Sequence, residues 1–140
     1  MGNGKKEAVK KFRALSQNNK GLLIDLDAPE SKRDKDLSDN HLGELKVYVF
    51  YMIQEMEAWF LSQPQLLENF YKDIDWKDLY DIEASQIARP STILQEKTRY
   101  SNRRKYHKIK HAVELLPMLN TKKLSADFID FQRLISTLKN

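Results

Sequence analysis

The sequence predicts an α/β fold: two clear strands in an incomplete sheet, flanking helices, and a C-terminal half that is helical. Three observations carry this. Leu22-Leu23-Ile24 is a short apolar run bounded by Gly21 and by acids, as a buried strand requires. Val47 to Ile53 is a second run, rich in the β-branched and aromatic residues that fit a pleated surface. Beyond residue 61 the apolar residues recur at helical spacing, punctuated by Pro64, Pro90 and Pro117.

Taken in order, Ala8, Val9, Phe12 and Leu15 fall on one face of a helix over residues 5–17, with lysines opposite. Asn18-Asn19-Lys20-Gly21 is expected to end it. A strand over Leu22–Asp27 follows. Residues 28–45 hold Pro29, many charges and few apolar positions, and read as a loop with one helical turn near His41–Leu45. Lys46–Ile53 is the second strand, and Glu55–Leu61 a helix. Ser62 is expected to cap the next helix, with Pro64 in its first turn. Asp73–Glu83 reads as a turn and a short helix. A helix over Pro90–Arg99 has Thr92 and Gln95 at capping-box spacing, and one over Tyr106–Leu116 is stopped by Pro117. Ser125 is expected to cap the last helix, whose stripe is Phe128, Phe131, Leu134, Ile135 and Leu138. Two strands rarely stand alone in water. Either a further strand of this chain lacks a clear sequence signal, or the sheet is completed by a second copy or another chain, which is the favoured expectation.

At 140 residues the default is a single domain over 1–140, with an α/β part (1–61) and a mainly helical part (62–140). With 41% hydrophobic and 31% charged residues the chain is too apolar for disorder. It has no apolar run long enough for a bilayer, so no membrane association is expected. The absence of cysteine excludes disulfides, thiolate catalysis and zinc–thiolate sites. Residues 1–6 lack the apolar stretch of a secretory signal, and a cytoplasmic location is the simplest expectation.

The net charge of +4 is unevenly spread. Lys97, Arg99, Arg103, Arg104, Lys105, Lys108 and Lys110 crowd one segment without an acid, while acids gather between Asp25 and Asp39 and between Asp73 and Glu83. Asp25 and Asp27 end the first strand; Glu55 and Glu57 open the helix after the second. Acids at the carboxyl ends of neighbouring strands suit a hard divalent cation, because magnesium takes oxygen ligands and few protein carboxylates. Alternate strand residues point to opposite faces, so Asp25 and Asp27 converge only if the chain turns between them. Glu57, next to Trp59 and Phe60, is either a third ligand or a buried carboxylate paired with a base such as Arg99 or His107. Glu55 reads as solvated. Arg99, Arg103, Lys105 and Lys108 are candidate phosphate contacts, and His107 a candidate general acid or base. A solvated basic helix is the plainer reading of that run. His107 and His111 lie four apart without an obvious third zinc ligand.

Three segments resemble a known bacterial family: Gly4-Lys5-Lys6-Glu7-Ala8-Val9-Lys10-Lys11-Phe12, Leu22 to Pro29, and Gln54-Glu55-Met56-Glu57-Ala58-Trp59-Phe60-Leu61. Arg89-Pro90-Ser91-Thr92-Ile93-Leu94, Tyr106-His107-Lys108-Ile109-Lys110-His111-Ala112 and the closing helix to Leu138 continue the likeness in the same order. The family is the domain-of-unknown-function family 4276, placed among Toprim-like proteins. The resemblance implies a Toprim-like sheet and magnesium, or manganese in its place. Asp25 and Asp27 then match the metal-binding Asp-x-Asp pair, and Glu57 matches the glutamate of the Glu-Ala-Trp motif. Family members carry an upstream strand bearing a first metal-binding glutamate, a region this sequence lacks. The chain is then a truncated piece, a partner of a separate N-terminal piece, or a degenerate domain.

Two functions follow as expectations. The first is magnesium-dependent processing of nucleic-acid phosphodiesters, as a nuclease component of a phage-defence or mobile-element system, with an ATPase partner by analogy with Toprim nucleases. The alternative is a non-catalytic binding or regulatory subunit that completes its sheet with another chain.

Overall fold

The computed structural model describes residues 2–15 and 21–139 and has the expected mixed α/β architecture. Helix α1 (Gly2–Ala14) lays Val9 and Phe12 onto one face of a two-stranded parallel sheet. The predicted stop at Asn18–Lys20 lies outside the described residues. Strands β1 (Leu22–Asp25) and β2 (Val49–Met52) pair in the register Leu22↔Val49 to Asp25↔Met52. Leu22 and Ile24 of β1 and Val49 and Tyr51 of β2 share the α1 face; Asp25, Phe50 and Met52 belong to the other.

Both strands are shorter than the sequence suggests. The ladder bends at Asp27, whose φ of 62° is left-handed, a region Asp tolerates better than most residues. Residues Gly43–Tyr48 form a 3-10 helix, so β2 starts at Val49 and not Lys46.

The expected loop over 28–45 is largely helical: a 3-10 turn at Glu30–Lys32 leads into α2 (Arg33–Asp39). Its only buried residue is Leu37, so no apolar period announces it. Polar contacts hold it instead. Lys35 and Asp39 pair at 2.7 Å, and Asp36 accepts from Lys5 at 2.8 Å and from the Tyr51 hydroxyl at 2.6 Å. Burial and the Asp36 carboxylate push the Tyr51 hydroxyl pKa up, so it stays a donor. Tyr51→Phe is expected to cost about 1–2 kcal/mol, read as a lower urea midpoint at unchanged slope.

The chain continues with α3 (Glu57–Leu61), α4 (Pro64–Phe70), α5 (Pro90–Lys97), α6 (Lys110–Leu115), α7 (Thr121–Asp127) and α8 (Ile129–Lys139). Within residues 73–83 a turn leads into a 3-10 helix at Lys77–Asp81, and a second 3-10 helix follows at Ala84–Gln86. Three predicted caps differ. Ser62 donates its hydroxyl to Trp59 O, and Gln63 stands at the start of α4. Helix α5 starts at left-handed Arg89, without a Thr92–Gln95 box. Ser125 lies inside α7, whose cap is Asn120, accepting from Lys123 N at 3.1 Å. Of these three helices only α7 has a side-chain cap from a neighbouring residue; α4 has none, and at α5 the Ser91 N–H is taken by Glu55.

Helix α3 is the pivot. All five of its residues are buried, with Phe60 and Leu61 in the helical core and Ala58 and Trp59 in a cluster with Leu124, Phe128 and Phe131. Leu138, expected in the α8 stripe, is exposed.

The sheet's two edges differ. At β2, Asp130 of α8 accepts from Tyr51 N at 2.7 Å, and Arg133 reaches Val49 O at 3.3 Å. Side chains thus replace a neighbouring strand. At β1, Leu26 N donates to Met52 O at 3.1 Å, so alternation turns the main-chain groups of Leu23 and Asp25 outward. Among the described residues they meet no partner strand.

Candidate functional site

The carboxyl ends of two parallel strands and the loops that leave them are where open α/β sheets bind ligands. Here Asp25 ends β1 and Glu57 opens α3, just past β2. Asp25 is 8% exposed, and its Oδ1 accepts from Met56 N at 2.8 Å. Glu57 is fully buried; its Oε2 accepts from the Tyr106 hydroxyl at 2.9 Å, and its Oε1 has no partner. One cation lies against both carboxylates: Lys108 Nζ is 4.0 Å from Asp25 Oδ2 and 3.7 Å from Glu57 Oε2.

Burial drives the Asp25 pKa up to about 6; the Met56 N–H and Lys108 oppose this, while Asp27 and Glu57 add repulsion. Tyr106 is held neutral chiefly by burial and then by Glu57, which suits it as a donor. Tyr106→Phe leaves a fully buried carboxylate with one donor fewer. A loss of about 2 kcal/mol in chemical denaturation is expected.

Tyr106 and Lys108 arrive on one loop, 98–109, between α5 and α6. Thr98 Oγ1 accepts from Tyr106 N at 2.7 Å, and Asp73 accepts from Ser101 Oγ at 2.8 Å and Asn102 N at 2.6 Å. These donors hold the Asp73 pKa below the usual carboxylate range. Arg103 stacks 4.0 Å over the Phe70 ring, donates Nε–H to Phe70 O at 2.7 Å and pairs with Glu114 at 3.6 Å. Arg99 and Lys105 are exposed on this loop. His107 turns its Nδ1 to the N–H groups of Ile109 and Lys110, at 3.2 and 3.0 Å, and so caps the start of α6. His111 is buried, its Nδ1 facing the Tyr71 hydroxyl at 2.8 Å, and burial pushes its pKa down.

Of the residues singled out in sequence, Asp25, Glu57 and Lys108 come together. Asp27 is exposed beyond its left-handed turn, near enough to Asp25 to raise its pKa. Glu57 pairs with Tyr106 and Lys108 rather than Arg99 or His107. Glu55, expected to be solvated, accepts from Ser91 N and Oγ, both at 3.0 Å, and anchors α5. Among the described residues no group of three His, Cys, Asp or Glu side chains is arranged to hold a metal ion. Two carboxylates nevertheless fit magnesium, which usually takes one or two and completes its shell with water and substrate phosphate. Lys108 already places one cation against both carboxylates, and Glu57 Oε1 has no partner among the described residues. Tyr106 as a carboxylate partner carried no sequence signal, since an isolated tyrosine in a basic run looks like any other.

Fold and site together define a mixed α/β protein with a buried acid pair at the carboxyl end of a small parallel sheet. The chain belongs to the family described as Domain of unknown function (DUF4276), whose model matches residues 6–139. No curated protein and no solved structure matches it. Among the described residues no helix is long and apolar enough to cross a membrane.

Proposed function

We propose that this chain is a Toprim-like component for magnesium-dependent processing of nucleic-acid phosphodiesters, with Asp25 and Glu57 as ligands and Asp27 at the rim. The observation that carries the reading is the convergence of two buried carboxylates on one cationic position, delivered by a loop rich in exposed bases. A bound magnesium ion would polarise a phosphoryl oxygen and ready a water for in-line attack. The chain's own residues orient and neutralise. Met56 N and Tyr106 fix the two carboxylates, Lys108 balances their charge, and Arg99, Arg103 and Lys105 attract the phosphate backbone. Affinity for nucleic acid is then expected to fall steeply with salt. His107, engaged as a cap through Nδ1, keeps only Nε2 for proton transfer.

The test is a manganese titration of labelled protein followed by NMR. Saturable broadening confined to residues 25–27, 56–58 and 106–108 is expected. Broadening spread over the acidic surface, or absent, would overturn the metal reading. A second reading is favoured by the outward main-chain groups of Leu23 and Asp25: a non-catalytic subunit that accepts a partner's strand on β1. In that reading Lys108 is the permanent counter-ion of the pair, and manganese leaves the spectrum unchanged.

A further inference from the structure

The turn after β1 and the turn before α5 face each other across a cleft of about 410 Å³, whose walls include Asp27, Pro29, Lys32, Gln54, Glu55 and Arg89. Chain continuity joins it to the acid pair, since Asp27 follows Asp25 and Gln54-Glu55 precede Met56-Glu57. Two of its residues hold left-handed backbone, Asp27 at φ 62° and Arg89 at φ 51°. For an arginine that conformation is disfavoured, and such residues concentrate at binding sites.

The polar groups of the cleft are unevenly used. Glu55 is occupied by Ser91. Gln54 is only 6% exposed as a residue; its side-chain amide, which still reaches solvent, has no hydrogen-bond partner among the described residues. The side chains of Lys32 and Arg89 likewise form no ion pair or hydrogen bond among the described residues. Nearby cations behave differently: Arg33 pairs with Asp130 and Lys35 with Asp39. An amide held in place at a cleft wall with its hydrogen-bonding atoms open to solvent can exchange water for a ligand at little cost. An ammonium, a guanidinium and an amide NH2 are all donors. What they match together is a phosphate.

We propose that this cleft is a phosphate subsite, in which Lys32, Arg89 and Gln54 bind the phosphate next to the one that a cation on Asp25 and Glu57 would engage. The identity of that phosphate as part of a nucleic-acid strand rests on the function proposed above; the binding itself does not. Asp27, which opposes a bare anion, limits affinity in the absence of a divalent cation.

A 5′-phosphorylated thymidine dinucleotide titrated into labelled protein in EDTA is the test. The expected result is a saturable shift of the Gln54 side-chain NH2 signals and the Arg89 amide. Lys32→Gln and Arg89→Asn, the latter keeping a residue that tolerates left-handed backbone, should each weaken binding roughly tenfold. Lys35→Gln, away from the cleft, should leave binding unchanged. No saturable shift at Gln54, or equal weakening by Lys35→Gln, would overturn the subsite. Manganese broadening at Asp25 and Glu57 beside a silent cleft overturns the subsite alone. Dinucleotide binding in the cleft without that broadening supports the subsite and overturns the metal reading.

Discussion

Asp130→Ala is expected to cost about 3–5 kcal/mol, enough to unfold a domain of ordinary stability at physiological temperature. Asp130 is 2% exposed and joins three parts of the chain. Its Oδ2 accepts from Arg33 Nη1 and from Tyr51 N, each at 2.7 Å, and its Oδ1 from Arg133 Nη1 at 3.0 Å. Removing it leaves the Tyr51 N–H unsatisfied at the β2 edge and two guanidiniums without their shared carboxylate. Asp130→Asn keeps the shape and an acceptor but not the charge, so it is expected to recover only part of the loss. The same contacts set a pH dependence. Burial alone would raise the Asp130 pKa, but Arg33, Tyr51 N and Arg133 together hold it below the usual carboxylate range. The contribution is therefore complete above about pH 4 and lost as the pH falls through the lower native value. Denaturation midpoints of wild type and Asp130→Asn should converge as the pH drops below 4. A gap that stays constant would show that hydrogen-bond geometry and not ionisation carries the stability.

That triad also explains what the sequence could and could not disclose. Leu22–Ile24 and Val49–Met52 were legible as strands because sheet burial writes an apolar, β-branched run. The α1 face was legible because Val9 and Phe12 recur at helical spacing. Helix α2 was not, since Asp36 and Arg33 act through Lys5, Tyr51 and Asp130, partners up to 97 positions away. The covered β2 edge was hidden for the same reason: an Asp and an Arg on α8 do the work of a strand. In the site, Asp25 and Glu57 stood out as acids beside apolar runs, where a solvated carboxylate is unexpected. Strand alternation showed that Asp25 and Asp27 converge only if the chain turns between them; the chain does turn at Asp27, but leaves Asp27 exposed and Asp25 buried, an outcome no local pattern encodes. Tyr106, Gln54, Lys32 and Arg89 gain their roles only from what the fold sets opposite them.

Asp25→Asn is expected to abolish manganese broadening and, in metal-free buffer at pH 7, to stabilise the protein by about 1–2 kcal/mol. A native pKa pushed up to about 6, well above that of a solvated aspartate, means that ionising this buried carboxylate opposes folding. The favourable contribution of the protonated form is fully present below pH 4 and is lost as the pH rises through 6, a difference of about 3 kcal/mol at most. Asparagine retains an oxygen for Met56 N and removes both the desolvated charge and its repulsion from Glu57. It also forfeits the attraction of Lys108, 4.0 Å away, so the net gain is smaller than the full penalty. Wild-type stability should therefore fall between pH 4 and 6 relative to the variant, and the two curves should run parallel above pH 7. Residues kept at a cost to stability are those that a ligand will later compensate. If Asp25→Asn instead lowers the denaturation midpoint at pH 7, the carboxylate is a structural partner of Lys108. The metal assignment then rests on the geometry of the two carboxylates alone.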